Sequence, residues 1–147
     1  MNILFRSFAV LITATLAFTA RAADDLKAMS GTWKTVKAEL AGQALPPPVL
    51  KAITLKIDGA NYVVTVETEK GTAVDKGTVA IDRTTTPKSM TISGVDGPNA
   101  GKTFHAIYEF GGDTLRVCYE LSGAAQPAEF KTAPGTKLYL VTYERAK

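Results

Sequence analysis

Few side chains in this sequence have the types and spacing that catalysis or metal binding needs. The chain contains one histidine, His105, and one cysteine, Cys118, which excludes a histidine-rich zinc site and an intramolecular disulfide. A general base such as His105 needs a nucleophile in reach, and no serine lies in a Gly-x-Ser-x-Gly elbow. The glycine-rich loops that hold nucleotide phosphates are also missing. We therefore expect neither an enzyme nor a resident metal or cofactor.

Aromatic and branched side chains indicate a binding cavity instead. Two strand-like runs flank Gly111-Gly112-Asp113 and alternate apolar with polar residues. A hairpin in any register that preserves this parity keeps their apolar residues on one face. In a closed barrel that face lines the interior, together with an earlier run of the same pattern. The predicted lining consists of Tyr62, Val64, Phe104, Tyr108, Val117 and Tyr119.

An interior of this composition has two interpretations. A mostly apolar cavity with a few phenol hydroxyls suits one small, largely apolar ligand. The alternative is a packed interior without a cavity, because a domain of this size needs most of its apolar side chains for stability.

The opposite face of the same hairpin carries His105, Glu109, Arg116 and Glu120. Such residues on neighbouring strands are typical of a solvated surface with cross-strand ion pairs. Cys118 lies in the second run, where we expect a buried free thiol. An intermolecular disulfide or a reactive thiol is the alternative.

The elements that must position these side chains are strands, because the apolar residues recur with a period of two. Short turns rich in glycine, asparagine and aspartate separate the runs. Prolines at 46–48 allow a short helical turn near 46–52. The predicted strands cover 31–41, 53–58, 61–68, 73–82, 88–94, 102–110, 114–121 and 136–145.

About eight antiparallel strands joined mostly by short turns favour an all-β, up-and-down barrel. Closing the sheet removes its unpaired edges, which would otherwise invite aggregation. A two-sheet sandwich is the alternative, since it needs a long crossing connection and the segment 122–135 is long enough to supply one.

The first and last predicted strands carry a pair of residues that fits such a barrel. Gly31-Thr32-Trp33 opens the first strand, and Arg145 closes the last. A Gly-x-Trp at this place resembles the signature of lipocalins and related calycin barrels. The resemblance implies that Trp33 plugs one end of the barrel and that Arg145 packs over its ring, a favourable cation–π contact. We expect residues 23–147 to form a single lipocalin-like β-barrel domain.

A second set of motifs is spread over about residues 30 to 145. It includes Gly31-Thr32-Trp33-Lys34, Lys76-Gly77-Thr78, Asp96-Gly97-Pro98, Ile107-Tyr108-Glu109 and Pro127-Ala128-Glu129-Phe130. With these motifs the chain resembles a family of uncharacterised exported proteins known chiefly from planctomycete-type bacteria. That family has no established activity, so the resemblance implies a fold and a compartment only.

Residues 1–22 have the pattern of a secretory signal peptide. Arg6 precedes an uncharged run from Phe8 to Phe18, and Ala20-Arg21-Ala22 is a small-x-small cleavage site. The apolar run is shorter than the roughly 20 residues that a membrane-spanning helix needs. We therefore expect export to the periplasm or the extracellular space without a permanent membrane anchor. A retained N-terminal anchor is the alternative.

The charge of the chain argues against nucleic acid as a partner. Lys and Arg number 17 and Asp and Glu 14, a net charge of +3. Because Arg6 and Arg21 lie in the predicted signal peptide and every acidic residue follows it, the rest of the chain is near +1. Its positive charges form no cluster that would displace counterions from phosphates.

Two functions from different classes fit these patterns. The first is an exported monomer that binds a small, largely apolar ligand inside the barrel. The second is a solid-core protein-interaction or structural module of the cell envelope, which would use the open-end loops 42–52, 95–102 and 122–135. A cavity of roughly 300 Å³ or more favours the first.

Overall fold

The computed structural model describes residues 22–147, which form nine strands and two short helices. The predicted signal peptide lies outside the described residues except for Ala22, which is already helical. Helix α1 covers residues 22–29, and helix α2 is Pro47–Ala52. The strands are β1 (Gly31–Leu40), β2 (Gln43–Ala44), β3 (Ile53–Asp58), β4 (Asn61–Thr68), β5 (Gly71–Asp82), β6 (Ser89–Asp96), β7 (Thr103–Gly111), β8 (Thr114–Glu120) and β9 (Leu138–Arg145).

Eight of these strands close into an antiparallel barrel. From β3 to β9 each strand pairs with the next along the chain, and β1 pairs with both β3 and β9. The predicted up-and-down, lipocalin-like barrel is therefore confirmed, as is the short helix that follows the prolines. The sandwich alternative is wrong, because β8 and β9 are neighbours in the same sheet. The segment between them therefore does not cross from one sheet to another.

The sequence prediction missed β2 and α1. Strand β2 has two residues and folds back on the end of β1 through a turn at Ala41 and Gly42. Both turn residues have positive φ, 50° and 82°, and glycine adopts that region without steric cost. Neither element is long enough to give a periodic pattern.

The alternation of apolar residues places the core inside the barrel. Leu55 and Ile57 of β3 are buried, as are Leu115 and Val117 of β8, while the residues between them are more exposed or face the outside. Successive strand side chains point to opposite faces, so each strand contributes every second residue to the interior.

The two ends of the barrel differ. At the closed end, Ser30 directly after α1 accepts a hydrogen bond from the backbone N–H of Gly59 in the β3–β4 turn, and Arg145 links Ala28 of α1 to Gly112 in the β7–β8 turn. The open end carries α2, the β4–β5 turn and the long β6–β7 and β8–β9 loops. The loops 42–52, 95–102 and 122–135 thus lie together at one end, because an up-and-down topology alternates its connections between the ends.

Trp33 fills the closed end. Its side chain is fully buried, and its indole Nε1 donates a hydrogen bond of 2.9 Å to the carbonyl of Met29 in α1. The guanidinium of Arg145 lies 4.4 Å from the centre of the indole ring, and the ring of Phe110 meets it edge-on at 6.2 Å. One side chain thus joins the N-terminal helix, the first strand and the last strand.

Arg145 donates hydrogen bonds to three backbone carbonyls, and we expect a lysine to replace it poorly. Its Nη1 donates to the carbonyl of Ser30 at 2.8 Å, and its Nη2 donates to those of Ala28 and Gly112 at 2.8 and 3.0 Å. Lysine keeps the charge but lacks the planar fork of donors. We expect Arg145→Lys to lower the free energy of unfolding, measured in urea, by about 1.5–3 kcal/mol, the value of hydrogen bonds to a charged group.

Arg116→Lys is the matched control for this prediction. Arg116 pairs with Glu109 at 2.8 Å on the outer surface of the barrel. Exposed pairs of this kind contribute about 0–1 kcal/mol. Equal losses in the two variants would contradict a special role for the Arg145 fork.

The long β8–β9 segment covers part of the outside of the barrel. Ile107 and Cys118 face outward on neighbouring strands, yet both are fully buried. The carbonyl of Lys131 lies 3.8 Å from the Cys118 sulfur, and Pro127 and Thr132 are buried in the same segment. Burial raises the pKa of the Cys118 thiol, which disfavours the reactive thiolate.

Candidate ligand-binding cavity

The interior of the barrel contains a cavity of about 330 Å³. Leu26 and Met29 of α1 contribute to its wall at the closed end. At the other end the wall includes Val74 and Leu121, which are 38% and 36% exposed. The cavity therefore reaches from the inner side of the N-terminal helix to the solvent at the open end.

Five of the six residues predicted from the sequence line this cavity. The five are Tyr62, Val64, Phe104, Val117 and Tyr119. Tyr108 faces the interior and is almost fully buried, but it is not part of the cavity wall. Its hydroxyl lies 3.4 Å from Asp25 at the closed end, next to the ion pair of Asp25 with Arg83. Strand parity fixes the face of a residue but not its depth along the barrel axis.

Tyrosines of the last strand complete the wall and were not in the predicted lining. Tyr139 and Tyr143 share the inward face of β9 with Val141, so the period-two signal was present there. Tyr119 stacks on Tyr139 with ring centres 5.9 Å apart. The hydroxyls of Tyr119 and Tyr143 are 3.1 Å apart, in a hydrogen bond in which either can donate.

The phenols of the cavity wall are neutral, and burial disfavours their ionisation further. Burial raises the pKa of Tyr119, Tyr139 and Tyr143 above the usual range of a phenol. The charged form of a tyrosine is disfavoured in an apolar interior. At physiological pH the hydroxyls therefore offer O–H groups that donate or accept hydrogen bonds, set in an otherwise apolar wall.

Asp75 places a carboxylate in the wall and was also missed by the sequence prediction. It lies opposite Val64 in the β4–β5 pairing and shares the inward face of β5 with Val79. The hydroxyl of Tyr62 donates to Asp75 Oδ2 at 3.0 Å. Burial and this contact raise the pKa of Tyr62. A polar residue at an inward position breaks the alternation, and that break was the available signal.

The β6–β7 loop meets this carboxylate at the open end. The backbone N–H of Asn99 donates to Asp75 Oδ1 at 3.2 Å, and its side-chain Nδ2 donates to Oδ2 at 3.1 Å. Two glycines permit the approach: Gly97 has a φ of 98°, and a Cβ on Gly94 would lie 1.9 Å from the carbonyl oxygen of Asn99. The loop thus folds inward and contributes Pro98 and Asn99 to the cavity wall.

The outer face of the β7–β8 hairpin carries no part of the cavity. Glu109 and Arg116 lie opposite each other and form the cross-strand ion pair expected there. His105 lies opposite Glu120 on the same face, outside the cavity wall. The structure therefore does not place His105 beside the cavity.

Within residues 22–147, no group of three or more His, Cys, Asp or Glu side chains could hold a metal ion. None of the helices in this part of the chain is both long and apolar enough to cross a membrane.

No family model matches the chain, and neither a curated protein nor a solved structure matches it.

Proposed function

We propose that the protein binds a small, largely apolar molecule in the barrel cavity. The observation that carries the proposal is the cavity of about 330 Å³, which lies in the range of roughly 300–1,000 Å³ typical of ligand sites. Interiors that serve only as a core are close-packed and leave few voids larger than a water molecule. The mixture of apolar walls and a few hydroxyls is also typical of small-molecule sites.

We also propose that the protein acts after export, as a monomer and without catalysing a reaction. The pattern of residues 1–22 supports export to the periplasm or the extracellular space. The resemblance to the exported bacterial family and to lipocalins supports the same compartment. The near-neutral charge of the chain after that segment favours a small apolar ligand over nucleic acid as the partner.

A protein-interaction or structural role in the cell envelope is the second candidate. It is favoured by the exposed large apolar side chains, most of which lie at the open end. An exposed apolar surface of this kind often marks an interaction site. These residues are Leu40, Val49, Val74, Val95 and Leu121. The cavity has no part in this role, which is why we prefer ligand binding.

Filling the cavity should weaken binding strongly while leaving the fold intact. Val64 and Val63 are neighbours on β4, but Val64 lines the cavity and Val63 does not. We expect Val64→Phe to weaken binding of N-phenyl-1-naphthylamine, an apolar fluorescent dye that is uncharged at pH 7, by about tenfold or more. Overpacking a site typically costs about 1–3 kcal/mol, and about 1.4 kcal/mol corresponds to a tenfold change in affinity.

Val63→Phe is the matched control and should bind the dye with nearly the affinity of the wild type. Both variants are compared by fluorescence titration after circular dichroism has shown that they fold. A wild-type protein that does not bind the dye saturably would argue for the second candidate. Equal loss of binding in both variants would place the dye outside the cavity.

A further inference from the structure

Resting on the ligand-binding function proposed above, we propose that the cavity selects apolar molecules that carry an ammonium group, and that Asp75 receives this group. Asp75 lies in the cavity wall and its hydrogen-bond partners are neutral groups.

Among the described residues that line the cavity, Asp75 is the one with a charged side chain. The other side chains that line the cavity are apolar or are neutral phenols and an amide. A carboxylate in a partly enclosed apolar space repels an anionic head group and attracts a cationic one, because the surrounding medium screens the charge poorly. This arrangement disfavours fatty acids and favours amines of similar length.

The neighbours of Asp75 orient its charge without cancelling it. Its three hydrogen-bond donors are the Tyr62 hydroxyl, the Asn99 backbone N–H and the Asn99 amide, all of them neutral. The ion pairs formed within residues 22–147 do not include Asp75. A carboxylate can accept about four hydrogen bonds, so Oδ1, which accepts one here, retains capacity for a ligand N–H.

The surroundings of the carboxylate also suit a cation with an apolar chain. The Tyr62 side chain lines the cavity beside Asp75, and its hydroxyl oxygen can accept a hydrogen bond from an ammonium group. Deeper in the barrel the wall is formed by side chains such as Leu55, Met90 and Leu115. A ligand with its amine at the mouth and its hydrocarbon chain towards α1 would satisfy both regions.

Asp75 has a structural role as well, because it fastens the β6–β7 loop through Asn99. If this were its only role, removing its charge would affect ligands of every charge alike. The ratio of the affinities for a cationic and an anionic ligand therefore distinguishes recognition by Asp75 from loop fastening, whereas the absolute affinity does not.

The test uses decylamine, decanoate and 1-decanol, which share a chain length and differ in charge at pH 7. Each displaces N-phenyl-1-naphthylamine from the full-length protein, and its affinity is obtained from the loss of dye fluorescence. We expect the wild type to bind decylamine at least tenfold more tightly than decanoate. Asp75→Asn should reduce this ratio to about one while changing the affinity for 1-decanol by less than threefold.

Two variants serve as controls. Asp96→Asn removes an exposed charge that does not line the cavity, and it should keep the wild-type ratio. Asn99→Ala loosens the loop while leaving the Asp75 charge in place. Equal changes for all three ligands in both Asp75→Asn and Asn99→Ala would overturn the proposal in favour of loop fastening.

The outcomes separate this proposal from the one on which it rests. A wild type that binds the dye and 1-decanol but shows no preference for decylamine overturns the ammonium proposal and leaves ligand binding standing. A wild type that binds neither the dye nor any of the three ligands overturns both. If Asp75→Asn does not fold, the ratio measured on the wild type and on Asp96→Asn decides.

Discussion

Replacing Trp33 by alanine is expected to lower the free energy of unfolding by about 3–5 kcal/mol, the range for truncating a large aromatic side chain in a core. Trp33 is fully buried and touches three parts of the closed end. It donates a hydrogen bond to Met29, lies under the guanidinium of Arg145 and meets the edge of Phe110. The variant loses all of these contacts at once.

The measurement is urea denaturation followed by far-UV circular dichroism, since the variant lacks the tryptophan whose fluorescence would otherwise be used. Val36→Ala is the control, because Val36 lies on the same strand and is 41% exposed. Surface substitutions of this kind usually change stability by less than about 0.5 kcal/mol. A loss below about 1 kcal/mol in Trp33→Ala would contradict the assignment of Trp33 as the side chain that closes the barrel.

The second large effect is expected at Gly77, where a single added methyl group has no space. A Cβ at this position would lie 2.1 Å from the carbonyl oxygen of Ser93 on β6 and 2.7 Å from the ring of Tyr62 on β4. Either the neighbouring strand or the ring must move. Overpacking of this kind costs about 1–3 kcal/mol and sometimes more. We therefore expect Gly77→Ala to lower the free energy of unfolding by about 1–3 kcal/mol or more.

Gly77→Ala should also weaken ligand binding, because the Tyr62 ring that it displaces lines the cavity and holds Asp75. The control is Gly111→Ala, since nothing lies within 4 Å of a Cβ at Gly111. Thermal unfolding and the dye titration are measured on both variants. If Gly77→Ala and Gly111→Ala behaved alike in both measurements, the close packing of Tyr62 against β5 would be contradicted.

The architecture could be predicted from the sequence because its signals are local. Strand β8 was expected at 114–121 and covers Thr114–Glu120, and β5 was expected at 73–82 and covers Gly71–Asp82. Alternation with a period of two identifies a strand, and glycine with aspartate or asparagine identifies the turn that follows. Neither signal depends on distant parts of the chain.

Features that depend on distant contacts could not be predicted in the same way. Tyr108 faces the interior as expected, but it lies deep beside α1, a helix without a strong sequence signal. The burial of Cys118 on the outer face results from the β8–β9 segment folding over it. Both outcomes are set by segments far from these residues in the sequence.

The polar part of the cavity was missed for a related reason. Asp75 interrupts the apolar alternation of β5, and a single polar residue in a strand is usually assigned to the solvent side. Its partner Asn99 lies in a loop, where no periodicity applies. In the barrel Asp75 lies opposite Val64, which brings the carboxylate into the interior.

The central claim is that a ligand binds inside the barrel, and the most direct test locates the bound molecule. The side chains of Val64, Val117 and Ile92 line the cavity, whereas the side chain of Val63 does not. The measurement is a methyl-detected NMR titration of the protein with decylamine. We predict saturable shifts of the Val64, Val117 and Ile92 methyl resonances, with Val63 nearly unchanged. Unchanged resonances at these three residues, or shifts confined to residues outside the cavity, would contradict the claim.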